Sequence, residues 1–417
     1  MMDSSWFADV EHLPPSELFS IESQYTHDDF DRKLNFAFPC YRDEYGNPWV
    51  FPVVRVAETV LANDSSLSKE YLHPLGYETL NQSAVSLLLG HQSRARLESR
   101  AFAIQTMSAT GATRIGAEFL AGTLGMTTVY FPEQTLEDLG SVFLSAGFKE
   151  LRELRYFDYY TLSLDIEYLL KDLENAQAGA VVFLQVSGHN PTGCDPDSSE
   201  WEKIADIIAS KQLFPFFYSP FQGFATGDVH QDVEVVRMFE TRGLEFFCSQ
   251  SFAWNFGLYN ERSGCLSIVA KHAQHVNPIR SHLLKIAGNM YWAPPSHGSR
   301  IVAFILEDKI LSEEWKASIA GIAARLKQMR TYLREELERL GAPGSWAHIT
   351  NQVGLFCFIG LNQIQVEYLK KQYHIYMLSN GRLNVSGLNM DNVEYVARAI
   401  YETMGVIPSS YVMSVAM

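Results

Sequence analysis

The chain has 417 residues, 47% of them hydrophobic and 19% charged, the make-up of a folded protein with room for two lobes. Its 33 Lys and Arg against 48 Asp and Glu leave a formal net charge of −15, which repels nucleic acid and anionic membrane surfaces and excludes both as partners. The five cysteines, Cys40, Cys194, Cys248, Cys265 and Cys357, are scattered, odd in number and free of C-x-x-C or Cys/His ligand spacing; they read as reduced thiols without structural zinc.

In chain order, the segment Met1–Glu11 lacks both the apolar core of a secretory signal and the arginine richness of a mitochondrial one, so a cytoplasmic address is expected. No apolar run approaches the roughly 18–20 residues of a membrane-spanning helix. Ser108-Ala109-Thr110-Gly111 brings small and hydroxylated residues to the start of a helical pattern through Ile115, Phe119 and Leu120. Hydroxyls and orphan backbone N–H groups converging on a helix N-terminus suit a dianionic phosphate. From about residue 100 to 270, short apolar runs alternate with helical patterns, as in a parallel sheet covered by helices. Ala180–Val186 is a strand, followed by the loop Ser187-Gly188-His189-Asn190-Pro191-Thr192-Gly193. Ser199 with Glu202 reads as a capping box opening the next helix, and Leu213–Phe217 and Leu244–Cys248 are further buried strands. Open α/β sheets place ligands where such strands end. Between Glu313 and Leu340, apolar residues at alternating spacings of three and four predict one long amphipathic helix, stopped by Gly341 and Pro343, with a lobe boundary within or beside it.

The run Ser251-Phe252-Ala253-Trp254-Asn255-Phe256-Gly257-Leu258-Tyr259-Asn260-Glu261-Arg262 resembles S-F-S-K-N-F-G-L-Y-N-E-R, the cofactor-attachment signature of the aspartate aminotransferases. Further matches are Tyr71-Leu72, Thr110-Gly111-Ala112, His189–Gly193, Phe214–Phe217, Gln222–Ala225 and Ser379–Leu388. The chain thus resembles class I aminotransferases, the cytoplasmic aspartate enzymes in particular, over nearly its whole length. That resemblance implies an α/β fold of the pyridoxal phosphate (PLP) type I class, with a mostly parallel, seven-stranded-type sheet in a large domain and a smaller α/β domain. The implied division is an N-terminal arm at 1–15, a small domain at 16–47 and 326–408, a large domain at 48–325 and a tail at 409–417. The implied assembly is a homodimer, and the implied reaction converts L-aspartate and 2-oxoglutarate to oxaloacetate and L-glutamate.

The resemblance carries site roles over unevenly. Ser108, Thr110, Ser251, Arg262 and, from the neighbouring subunit, Tyr71 match phosphate-binding positions. Ala109 stands in for a glycine, and a positive φ there would be strained by its Cβ. Trp254 occupies the position of the Schiff-base lysine, which attaches PLP and shuttles the reaction's proton; an indole offers only an N–H donor. Lysine is absent between Lys211 and Lys271, so the neighbouring sequence supplies no substitute. Tyr218 replaces the aspartate that keeps the pyridinium nitrogen protonated, Phe221 the tyrosine on the ring's phenolic oxygen, and Leu136 the tryptophan stacked on the ring, while Asn190 is kept. Arg382 matches the arginine that binds the substrate α-carboxylate, a bidentate task lysine performs poorly. The arginine that clamps a distal carboxylate across the dimer falls at Gly288. The covering loop reads Phe36-Ala37-Phe38-Pro39-Cys40-Tyr41-Arg42, where Pro39 removes a backbone donor beside the substrate-binding position Ala37. The expectation is an aspartate aminotransferase-like protein impaired in catalysis, with anion anchors retained. The alternatives are slow or altered amino-acid chemistry with PLP held noncovalently, and a non-catalytic partner in mixed dimers with an active paralog.

Overall fold

A computed structural model describes residues 5–135 and 137–407, the side chains of Glu137 and Asp138 excepted. Its centre is one seven-stranded sheet built from β1 (Ala101–Met107), β2 (Thr128–Pro132), β3 (Glu150–Leu154), β4 (Val181–Gln185), β5 (Phe214–Ser219), β6 (Phe246–Ser251) and β7 (Ser263–Val269). The spatial order is β1-β7-β6-β5-β4-β2-β3; β7 runs antiparallel to both neighbours and the remaining pairings are parallel. Continuous apolar runs produce this arrangement because both faces of the sheet are covered. Val181, Val182, Phe183 and Leu184 are all at most 2% exposed. Phe183, Phe216 and Phe247 face one core cluster, and Leu184, Phe217 and Cys248 face the other.

The predicted strands sit where the apolar runs lie, with ends shifted by one to three residues. The capping box is displaced. Helix α2 (Ser198–Ser210), which follows α1 (Ser108–Gly122), is opened by Asp197 and Glu200 in place of Ser199 and Glu202. The Asp197 carboxylate accepts the Glu200 N–H at 2.8 Å while the Glu200 carboxylate accepts the Asp197 N–H at 2.7 Å; a charged acceptor outcompetes the hydroxyl of Ser199, which itself donates to Asp197.

After α3 (Val276–Tyr291) comes the long helix α4, spanning Lys309–Arg339. It begins four residues before the apolar stripe suggests, because Asp308 accepts the N–H groups of Ile310 and Leu311 at 2.8 and 2.9 Å. The stripe residues Trp315, Ile319, Ile322, Leu326, Met329, Leu333 and Leu337 are buried, and Gly341, at φ +72°, follows the helix end. Beyond α4, short strands β8 (Phe356–Phe358) and β9 (Arg382–Asn384) pair antiparallel, and Leu34–Asn35 pairs in parallel with Ile375–Tyr376. Among the described residues, no helix is long and apolar enough to cross a membrane, no group of acidic, His or Cys side chains could hold a metal ion, and all five cysteines are free.

Trp315 joins α4 to the connection between β6 and β7. Its ring stacks on Phe256 at 4.6 Å, and its indole N–H donates to the Asn255 carbonyl at 2.5 Å. Trp315→Ala should therefore lower stability by about 3–5 kcal/mol in urea unfolding, and a loss below about 1 kcal/mol would contradict this anchoring role.

Candidate functional site

Strands β1, β4, β5 and β6 all end on the same edge of the sheet, and their ends bring together residues far apart in sequence. Ser108 begins α1 immediately after β1, and its side-chain oxygen shares a 2.9 Å hydrogen bond with that of Ser251 at the end of β6. The Ser108 N–H donates to the Arg262 carbonyl at 2.7 Å. The strained backbone lies at Ser108 (φ +60°) and Arg262 (φ +50°), not at Ala109, which takes helical geometry and is buried. The anticipated clash of the Ala109 Cβ therefore does not arise. What the crossing does require is Gly264: a Cβ there would lie 2.6 Å from Ser108 Cα. Thr110, one position further along α1, is exposed. The Arg262 guanidinium makes no hydrogen bond or ion pair among the described residues and lies close enough to Tyr218 to act on its hydroxyl.

Tyr218 is half-buried on β5, beside the Phe183 ring at 5.4 Å. Burial pushes its hydroxyl up to about 12, with the Arg262 charge opposing, so it is neutral and supplies no negative charge. Between Tyr218, Phe183, Gln185, His189, Asn190 and Thr135 remains a cavity of about 10 Å³, room for about one water. Leu136 lies outside the described residues.

Asn190 is held by a loop with little freedom. Its N–H donates to the Gln185 side chain at 3.1 Å, while the Gln185 amide donates to the Ser187 and Gly188 carbonyls at 2.9 and 2.7 Å. Asp195 accepts the Gly188 and His189 N–H groups at 2.6 and 2.9 Å, and burial raises its carboxyl to about 6. The Asn190 side-chain oxygen accepts from Arg382 at 3.0 Å.

Arg382, on β9, is 2% exposed. Besides Asn190 it donates to the Ala37 carbonyl at 2.6 Å, and its guanidinium lies 4.2 Å from the centre of the Phe356 ring. Its Nε is buried without a partner, and no carboxylate pairs with it among the described residues. Burial lowers its pKa to about 10, so it stays charged at neutral pH. A buried cation with an unsatisfied donor is the feature of this cleft that calls for an anion.

Trp254 is half-buried in the connection between β6 and β7. Its indole N–H donates to the Pro39 carbonyl, and its ring meets Phe221 edge-on at 4.7 Å and Tyr259 at 6.2 Å. Phe221, 3% exposed, also contacts Phe356. The remaining candidates stand apart: Tyr71 is 84% exposed, and Gly288 is half-buried on α3, where an added Cβ would meet nothing within 4 Å. Tyr259, Gln185, Gly264 and Asn384 were not singled out from the sequence, although Tyr259, Gln185 and Asn384 lie in or beside its motifs.

The family model of class I and II aminotransferases matches residues 31–400, and the chain belongs to that family. It is 44% identical over 408 residues to the cytoplasmic aspartate aminotransferase of Gallus gallus, a match covering 97% of this chain and 99% of the relative. A solved aspartate aminotransferase from Saccharomyces cerevisiae cytoplasm superposes with a TM-score of 0.93 at 38% identity, covering 96% of this chain and 99% of the other. The aromatic-amino-acid aminotransferase of Burkholderia pseudomallei, solved covalently bound to pyridoxal phosphate, gives 0.93 at 31% identity, covering 96% and 100%. PLP is the cofactor this family implies. The residues here suit its phosphate, through Ser108, Ser251, Arg262 and the start of α1. They lack two groups that the resemblance assigns to the rest of it: Trp254 has no amine, and Tyr218 has no carboxylate.

The loop that carries Asn190 leads to a pH test. Burial pushes the neighbouring His189 down to about 3, and its Nδ1 shares a 2.8 Å hydrogen bond with Thr192. In the unfolded chain a histidine titrates near ~6.5. The unfolded state therefore binds the extra proton first, so stability owed to neutral His189 is complete above about 6.5 and lost as pH falls toward 3. Nitrogen NMR of the His189 ring should show no protonation between pH 7 and pH 4; a midpoint near 6.5 would contradict its sealed environment.

Proposed function

We propose that this chain is an aspartate aminotransferase-like protein of amino-acid metabolism that has lost PLP-dependent transamination while keeping a cleft for small anions. The observation that carries this reading is Trp254 at the lysine position, with its single polar hydrogen committed to the Pro39 carbonyl. Transamination needs an amine to attach the cofactor and a positioned base to move a proton, and an indole is neither. Tyr218 and Phe221 support the same reading from the ring side, since neither offers the charge or the hydroxyl that the family places there. The anion anchors point the other way: Ser108, Ser251 and Arg262 at one end, and Arg382 with Asn190 at the other. A small carboxylate suits Arg382, whose Nε lacks a partner. Dicarboxylate preference is weak in this reading, because Gly288 cannot form the second ion pair, a loss of the order of 2–5 kcal/mol.

The same reading makes the chain a cytoplasmic homodimer. The arm residues Trp6, Phe7, Val10 and Leu13 are 71–96% exposed in the single chain, as is Tyr71 at 84%, and a partner subunit would cover them. Purified protein incubated with PLP and dialysed should retain no cofactor chromophore. Its turnover of aspartate with 2-oxoglutarate should lie at least ~10²–10⁴-fold below that of the chicken cytoplasmic enzyme, and light scattering of the same sample should give the mass of two chains. Stoichiometric PLP after dialysis together with turnover near the chicken enzyme's would overturn the proposal.

A further inference from the structure

The segment after Leu34–Asn35 forms no regular ladder beyond Phe36, yet its carbonyls are almost all taken. Ala37 accepts from Arg382 at 2.6 Å, and Phe38 accepts from the Asn384 side-chain amide at 2.8 Å. Pro39 accepts from the Trp254 indole, and Cys40 accepts from Asn384 at 2.9 Å and the Ser386 hydroxyl at 3.2 Å. Two residues on, the Arg325 guanidinium of α4 donates to the carbonyls of Arg42 and Asp43 at 2.8 and 3.0 Å. The Ala37 and Phe38 N–H groups bond to the Asn35 side chain at 3.0 and 3.4 Å, and the Tyr41 N–H to the Tyr259 hydroxyl at 2.9 Å.

These donors fall into distinct groups. Arg382, Asn384 and Ser386 come from β9 and the turn after it, and Arg325 from α4. Trp254 and Tyr259 alone come from the connection between β6 and β7, which rises from the large sheet. A segment bonded only to β9 and α4 could swing with them, whereas one bonded also to the large sheet cannot do so without breaking a contact. Of these two ties, Trp254 supplies the one at the middle of the segment, where Pro39 has no N–H of its own to offer, and Tyr259 the one at Tyr41. Phe221 packs edge-on against the indole at 4.7 Å, a contact that favours the ring orientation in which its N–H faces Pro39.

We infer that residues 37–43 form a strap held down over the cleft without any ligand, and that Trp254 is its clasp. This concerns the chain's own closed state and does not depend on whether PLP binds. In such a cleft, Arg382 is covered from the strap side by a carbonyl of the protein itself, and exchange with solvent waits on the clasp.

Hydrogen–deuterium exchange of the unaltered protein and Trp254→Phe tests the inference, because phenylalanine keeps most of the ring bulk and removes the donor. Amides of the 36–42 peptide should exchange at least tenfold faster in the variant, with peptides from α4 unchanged; unchanged exchange over 36–42 overturns the inference. Should Trp254→Phe loosen α4 as well, the reading is taken on unaltered protein labelled with 15N-tryptophan, the Trp254 signal being the one the variant lacks. The clasp requires that indole N–H to exchange at least tenfold more slowly than that of Trp292, which is 65% exposed. An exchange rate equal to that of Trp292 overturns it.

Discussion

Arg382 is a guanidinium 2% exposed, charged at neutral pH, and without a carboxylate partner among the described residues. Burying an unpaired cation is expensive unless surrounding dipoles compensate, and around Arg382 they do so only in part. Asn190 and Ala37 each lend an oxygen, Phe356 offers its ring face, and Nε remains unsatisfied. Much of the local structure can be traced to this arrangement. The Gln185 and Asp195 bonds that lock the 187–195 loop keep the Asn190 oxygen aimed at the guanidinium, and the strap keeps the Ala37 carbonyl there.

The other end of the cleft follows a related logic. Ser108 and Ser251 satisfy each other at 2.9 Å, and the start of α1 presents N–H groups without helical partners. Both ends therefore favour negative charge, while the middle has become aromatic and neutral through Trp254, Phe221 and Tyr218. In the proposed reading, the two ends of the site anchor anions, while Trp254, Phe221 and Tyr218 between them lack the groups that would attach and tune a cofactor ring. That contrast is why family membership, shown by 44% identity and a TM-score of 0.93, does not by itself carry the family's chemistry to this chain.

The parts of the molecule that could be read from sequence are those with a repeating physical signal. Buried parallel strands such as Val181–Gln185 are uninterrupted apolar runs, and the stripe of α4 has helical spacing, so both announce themselves. The arginine in Gly381-Arg382-Leu383-Asn384 and the indole at position 254 stood out against a family pattern. What was not legible depends on competition or on backbone. Asp197 displaced Ser199 as a cap because two possible acceptors lie two residues apart and only geometry chooses between them. The positive φ fell on Ser108 and not on Ala109 because the close approach of Gly264 sets the turn. The covering loop was legible by resemblance, but the bonds that hold it down were not, since its acceptors are main-chain carbonyls and the clasp joins residues 215 apart in the chain.

A crystal structure of the unaltered protein grown with PLP and succinate decides whether the cleft takes small anions at its ends and excludes a cofactor ring from its middle, as proposed. The expected result is a carboxylate on Arg382, the Trp254 indole still on the Pro39 carbonyl, and no ring beside Tyr218. An ordered PLP ring between Tyr218 and Asn190, with Trp254 turned away from Pro39, would contradict it.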